Sequence, residues 1–217
     1  MKLFRKATAT VALVTLVSGI FSTGVSAYST EQYEAANYLA AENVINAQVS
    51  AADYNLDQNV LRQEIAKVAA NMADLEMATT CEGSFSDVSS TTPNTWACGY
   101  VEALLEEGLV SANAKFNPET NISKSEAVKL MLAAAGYTDT YSNVATWQQE
   151  VVAFAVENAL VSTFADYNTP ATRGFVFEIA ANAMVSNEAE DDLGGLEDII
   201  DALHTEEQAR KLAHITE

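Results

Sequence analysis

Residues 85–126 decide the fold. Phe85-Ser86-Asp87-Val88 opens the stretch, Trp96 follows, and Tyr100, Val101, Leu104 and Leu105 recur at helical spacing until Gly108. Leu109-Val110 and Phe116-Asn117-Pro118 form an extended connection. Ser123 and Glu126 then stand at the spacing of a capping box and open a second helix, which carries Val128, Leu130, Met131 and Leu132 and ends at Gly136. The pattern is helix, turn, short aromatic loop, helix.

The same grammar returns on both sides. Downstream it runs through Tyr137-Thr138-Asp139, Trp147, Val151-Val152, Leu160-Val161, Tyr167, Pro170 and Thr172 into an apolar helix reaching Met184. Upstream a weaker copy has Tyr33, Ala36 and Leu39, a turn at Asn43-Val44-Ile45, Tyr54, and a helix entered at Leu61-Arg62-Gln63-Glu64. Aligning the second helices puts Arg62, Lys124 and Arg173 at one position. One helix pair is too small to bury its apolar face alone, so three copies are expected to close around a shared core. The expected fold class is all-α, three pseudo-threefold helix-loop-helix units with short extended loops. Its boundaries are 28–80, 81–136 and 137–185, preceded by 1–27 and followed by 186–217.

Lys2, Arg5 and Lys6 precede an apolar stretch from Ala9 to Phe21, and Val25-Ser26-Ala27 supplies a signal-peptidase pattern. Residues 1–27 therefore read as a cleavable secretory signal, too short in its apolar run to span a ~30 Å hydrocarbon core. No second spanning stretch follows, so no integral membrane segment is expected after cleavage, and the product is expected to be secreted to the cell envelope. In that oxidising setting Cys81 and Cys98, the chain's two cysteines, read as a disulfide. Free thiols or a metal site are the alternatives, although two Cys without a nearby His make a poor zinc set.

These residues resemble S-layer homology domains, whose repeats run F-x-D-V, W-A, a helix ending in G-I or G-L, F-x-P, then I-T-R-A-E. The middle copy carries Phe85-Ser86-Asp87-Val88, Trp96-Ala97, Gly108-Leu109-Val110, Phe116-Asn117-Pro118 and Ile122-Ser123-Lys124-Ser125-Glu126. The resemblance implies a helical spindle whose inter-repeat grooves bind cell-wall polysaccharide, often anionic, and hence non-catalytic anchoring to the envelope. It maps the motif's basic residue to Arg62, Lys124 and Arg173 as ligand contacts, and its acid to Glu64 and Glu126. Asp87, Asp139, Trp96 and Trp147 complete the implied glycan-binding set. An Arg fork can take a carboxylate with two parallel hydrogen bonds, whereas Lys124 offers a point charge. The third copy departs from the motif with Gly174 and Phe175 in place of its alanine and acid. The first departs with Glu31 in place of the tryptophan and Leu61 in place of the capping threonine.

Eleven Lys and Arg against thirty Asp and Glu give a formal charge of -19, which argues against nucleic acid as a partner. An anionic glycan must then be held by local cations, within a Debye length of ~8 Å at physiological ionic strength. Calcium is another way to reconcile the charges. Asp53, Asn55, Asp57, Asn59 and Glu64 stand at positions one, three, five, seven and twelve of an EF-hand-like loop, but Gln58 occupies the sixth position, where glycine is wanted. The alternative function is accordingly a calcium-binding or protein-interaction scaffold without glycan affinity. No cofactor is otherwise expected. Catalysis has little support: both histidines, His204 and His214, lie in the tail, and no nucleophile elbow or phosphate-cradling loop occurs. Residues 186–217 read as an acidic linker and a C-terminal helix, with Leu196, Ile199, Ile200 and Leu203 on one face, a candidate dock for an envelope protein.

Overall fold

The computed structural model describes residues 28–137 and 145–187. The signal segment, Asp139 and the tail from residue 188 lie outside them. The described residues form an all-α protein: α1 Thr30–Ala41, a 3₁₀ turn Ala51–Tyr54, α2 Arg62–Met72, α3 Thr95–Glu106, α4 Lys124–Ala134, α5 Trp147–Glu157, and α6 over 173–187. Extended pairing among them is confined to isolated bridges.

Helix ends are set by one device used five times. After α1 to α5 the chain steps into the left-handed region at Asn43, Asp74, Gly108, Gly136 and Ala159, with φ between 49° and 95°. The amide after each, on Val44, Leu75, Leu109, Tyr137 and Leu160, then donates to the carbonyl five residues back, at 2.8 to 3.0 Å. This six-to-one closure satisfies a terminal carbonyl and turns an apolar side chain inward. Leu160 is 1% exposed as a result.

The centre is a ring of three backbone hydrogen bonds. Val60 N donates to Ala171 O at 3.0 Å, Ala171 N to Ile122 O at 2.9 Å, and Ile122 N to Val60 O at 3.0 Å. All three residues are buried. Isolated bridges Leu61–Asn121, Ser123–Pro170 and Asn59–Thr172 flank the ring. It solves a specific problem, because the first amides of a helix have no partner within it. Here the opening amides of α2, from Arg62 and Gln63, donate to Thr120 O and Pro118 O. Those of α4, from Lys124 and Ser125, donate to Thr169 O and Tyr167 O, and those of Arg173 and Gly174 to Gln58 O and Leu56 O. The starts of α2, α4 and α6 are thus each finished by a loop from another part of the chain.

Around the ring, α3 packs on α2 and α5 on α4, while α2 and α4 also touch. Helix α1 meets α6: Gln32 Nε2 donates to Glu178 Oε2 at 3.3 Å, and a Cβ built on Gly174 would lie 2.7 Å from Gln32 Oε1. These pairs cross the boundaries expected from sequence, since each first helix lies on the second helix that precedes it in the cycle. The departure of Gly174 from the alanine of the motif has its reason in this close approach. Ile65, Leu104, Met131, Leu132 and Ile179 are sealed in one core, each worth roughly 1.5–3 kcal/mol of burial.

Cys81 and Cys98 are joined as a disulfide with Cα atoms 5.7 Å apart, within the usual range. Beside it Glu102, only 8% exposed, accepts from Ser84 N at 3.0 Å and Ser84 Oγ at 2.5 Å. Its carboxylate pins the loop that the disulfide closes.

Candidate functional site: two clefts, each with an ion pair and a tryptophan

Arg62 and Lys124 are the first residues of α2 and α4, and Arg173 opens α6, so the helix starts at the ring fix where all three side chains leave the backbone. Arg62 Nη1 reaches Glu126 Oε1 at 3.0 Å, and Arg173 Nη2 reaches Glu64 Oε1 at 2.9 Å. Each acid holds a cation from a distant segment, not the one two residues before it. The second oxygen of each acid is already fixed: Glu64 Oε2 accepts from Leu61 N at 2.9 Å, and Glu126 Oε2 from Ser123 N at 3.0 Å. The helix cap therefore aims the carboxylate, and the carboxylate aims the guanidinium.

Arg62 is held further. Its Nε donates to Phe116 O at 2.8 Å and its guanidinium carbon sits 5.1 Å from the Phe116 ring centre. Asp87 spends both oxygens on the amides of Phe116 and Asn117, at 2.8 and 2.9 Å, so it positions the loop that positions Arg62. At Arg173 the corresponding Nε is buried and has no hydrogen-bond partner.

Two clefts open beside these ion pairs. A cavity of about 280 Å³ is lined by Trp96, Tyr54, Glu64, Lys67 and Arg173 among others. Another, of about 250 Å³, is lined by Trp147, Arg62, Lys115, Glu126 and Lys129 among others. Trp96 is 48% exposed and meets Tyr100 edge-on, with ring centres 6.5 Å apart. Lys129 Nζ lies 5.1 Å from the Trp147 ring centre. A tryptophan ring beside a guanidinium oriented by a carboxylate suits a sugar ring bearing an acidic or hydroxyl substituent.

The third equivalent position is built differently. Residue 175 is Phe, so Lys124 has no capping acid to meet and instead bonds Asp166 Oδ2 at 2.6 Å. Its ammonium lies 5.5 Å and 5.6 Å from the ring centres of Phe164 and Phe175, which pack edge-to-face. Lys124 and the hydroxyl of Thr169 hold the Asp166 carboxyl below the usual aspartate range.

The acidic series of the first loop does not converge. The carboxylates of Asp53, Asp57 and Glu64 do not gather within 4.8 Å of one another. Asp53 is spent on Ser50 N and Oγ at 3.1 and 2.7 Å, Asn55 takes the left-handed turn, and Asn59 pairs with Thr172. Glu64 belongs to the Arg173 cleft. Sequence reasoning missed Lys67, Lys115 and Lys129 as cleft-lining cations, because each comes from outside the repeated motif.

Residues 84–128 match the S-layer homology domain. The chain is also 26% identical over 137 residues to the Middle cell wall protein of Brevibacillus brevis, an alignment covering 61% of this chain and 12% of that protein. The matched segment runs from the loop before α3 through Asp87, the Phe116 loop and the ring residue Ile122 into α4. Much of the lining of the Arg62 cleft, from Phe85 through Phe116 and Ile122 to Glu126, therefore falls within the segment that matches the S-layer homology domain.

Proposed function

We propose that this protein is a non-catalytic anchor of the cell envelope, holding cell-wall glycan in the clefts beside Arg62 and Arg173. The observation that carries the reading is the recurrence of one constellation, a capped Glu aiming an Arg beside a tryptophan, in two clefts of an S-layer homology fold. In this reading residues 28–80, 81–136 and 137–185 are three divergent copies of the unit, and the ring through Val60, Ile122 and Ala171 is their common axis. A cell-surface location follows, and it agrees with the relative being a cell wall protein. No helix among the described residues is long and apolar enough to cross a membrane.

Co-sedimentation of residues 28–217 with purified sacculi tests this, beside an Arg62→Ala, Arg173→Ala variant whose melting curve matches the parent. The parent pellets and the variant stays in solution. If the parent stays in solution with sacculi of its own source organism, the anchor reading fails.

A further inference from the structure

In a chain where thirty Asp and Glu face eleven Lys and Arg, a cation without an acid is an exception. Arg62, Lys124 and Arg173 each reach a carboxylate at 3.0 Å or less, and Lys129 is engaged as well. Lys67 and Lys115 make no ion pair among the described residues. Lys115 is exposed on a loop, where that is ordinary, but Lys67 is half-buried in α2 and lines the Trp96 cleft. The two acids of that cleft are turned elsewhere. Both oxygens of Glu64 are taken, by Leu61 N and by Arg173, and Asp53 directs Oδ2 at Ser50. Lys129 occupies the same place in α4, five residues after the motif cation, yet its ammonium lies 5.1 Å from the Trp147 ring centre, over the indole itself. Lys67 Nζ stands instead 6.0 Å from the Tyr100 ring centre, and Tyr100 meets Trp96 edge-on, leaving Trp96 48% exposed. One cleft thus joins an uncovered indole to an ammonium that no acid matches.

We infer that Lys67 selects the ligand of the Trp96 cleft, and that this ligand is a saccharide carrying a single negative charge, a carboxylate or a phosphodiester. This rests on the proposed glycan-binding reading and makes it more specific. The charge of Arg173 is matched by Glu64, so the pair shapes the cleft wall and leaves Lys67 to meet the acid. A flexible lysine stem suits the task, because a weak contact with the Tyr100 ring is readily exchanged for a charge-assisted hydrogen bond. A second negative charge on the ligand would stand unmatched in a cleft that already holds Asp53. The exposed Trp96 ring supplies apolar contact for the sugar. At about 280 Å³ the cleft lies just below the roughly 300–1,000 Å³ of ligand pockets in general, which fits one or two sugar units and not a long stretch of polymer.

The chain has two tryptophans, so in Trp147→Phe protein Trp96 is the sole tryptophan emitter. Two singly charged probes are titrated, N-acetylmuramic acid and the methyl phosphodiester of N-acetylglucosamine, each beside an uncharged counterpart, the muramic methyl ester and the methyl glycoside of N-acetylglucosamine. At least one charged probe is expected to change the Trp96 emission saturably and to bind about tenfold more tightly than its counterpart, the lower end of what a hydrogen bond to a charged group contributes. The tighter of the two names the acid. Lys67→Met keeps the aliphatic stem and loses the charge, so charged and uncharged probes then bind equally, and Lys67→Arg restores the preference. A packing defect would weaken both forms together and leave their ratio intact, so the ratio reads charge recognition alone. Equal binding of charged and uncharged probes by the parent, a preference that survives in Lys67→Met, or no response to any of the four overturns the inference. Sacculus pelleting run in parallel separates it from the anchor: pelleting without a charge preference at Trp96 refutes the role of Lys67 and leaves the anchor, whereas charge-selective binding without pelleting keeps the site and refutes the anchor.

Discussion

Arg173 Nη2 lies 2.9 Å from Glu64 Oε1 although 109 positions of chain separate them, and the other oxygen of Glu64 caps α2. One carboxylate thereby couples the start of a helix to the charge in a cleft. Glu64→Ala removes both contacts and is expected to cost about 1–2 kcal/mol. Glu64→Gln keeps an acceptor for Leu61 N and is expected to cost less than half as much while weakening sacculus binding to a similar degree. Urea unfolding of both variants beside pelleting checks this; equal stability losses would show that charge, not capping, carries the contribution.

Leu61 stands at the N-cap of α2 and makes no side-chain bond to the helix, whereas Ser123 at the same place accepts from Glu126 N. Leu61→Ser supplies the missing acceptor and is expected to stabilise by about 1 kcal/mol. A melting temperature unchanged or lowered would mean that the partly buried leucine contributes as much by packing.

Ala159 ends α5 at φ 56°, where a Cβ crowds the backbone by roughly 1–2 kcal/mol. Gly108 and Gly136 hold the equivalent place without that cost. Ala159→Gly is expected to raise stability by about 0.5–1 kcal/mol, net of the added unfolded-state entropy, in a denaturant titration with unchanged m-value.

The disulfide between Cys81 and Cys98 closes a loop with a sequence separation of 17. Replacing both cysteines with serine is expected to lower stability by roughly 3 kcal/mol. Adding reductant to the parent should lower its melting temperature and leave that of the double variant untouched.

Asp166 has its folded-state pKa lowered by Lys124 and Thr169, so the stabilisation it contributes is fully present above its unfolded value near ~4 and is lost as pH falls through the lower folded value. Asp166→Asn should therefore melt below the parent at neutral pH, with the gap closing only in acid. A gap that persists unchanged to pH ~2 would show that the asparagine acts by some route other than charge.

The helices were legible because their signals are local. Tyr100, Val101, Leu104 and Leu105 give α3 by spacing, Ser123 and Glu126 give the start of α4, and Gly108 and Gly136 mark helix ends. The mainly helical class and the resemblance carried by residues 84–128 followed from the same stretch. Long-range partners were not legible. Nothing near Glu126 in sequence points to Arg62, because the ring that joins them is made of backbone hydrogen bonds, which side-chain identity does not encode. Lys115 and Lys129 gave no signal either, since a loop cation and an interior helix cation converge only once the loop folds back. At residue 175 the departure from the motif was visible as a phenylalanine in place of the acid, but its consequence, the aromatic packing around Lys124, was not.

On the proposed three-copy reading, the ring through Val60, Ile122 and Ala171 also fixes a number. In an open stack of helical units the end units need a polar outer face, and the array can lengthen by duplication. Here α1 lies on α6, so on that reading the first copy covers the last and neither requires a specialised cap. On the same reading a fourth copy has no vacant hydrogen bond in the ring to accept, so growth by a single inserted unit would have to break the cycle first. Tandem expansion of this architecture should then proceed by whole closed assemblies, and a circular permutant opened between α2 and α3, with the disulfide closing after the cut, should retain the same set of axial bonds.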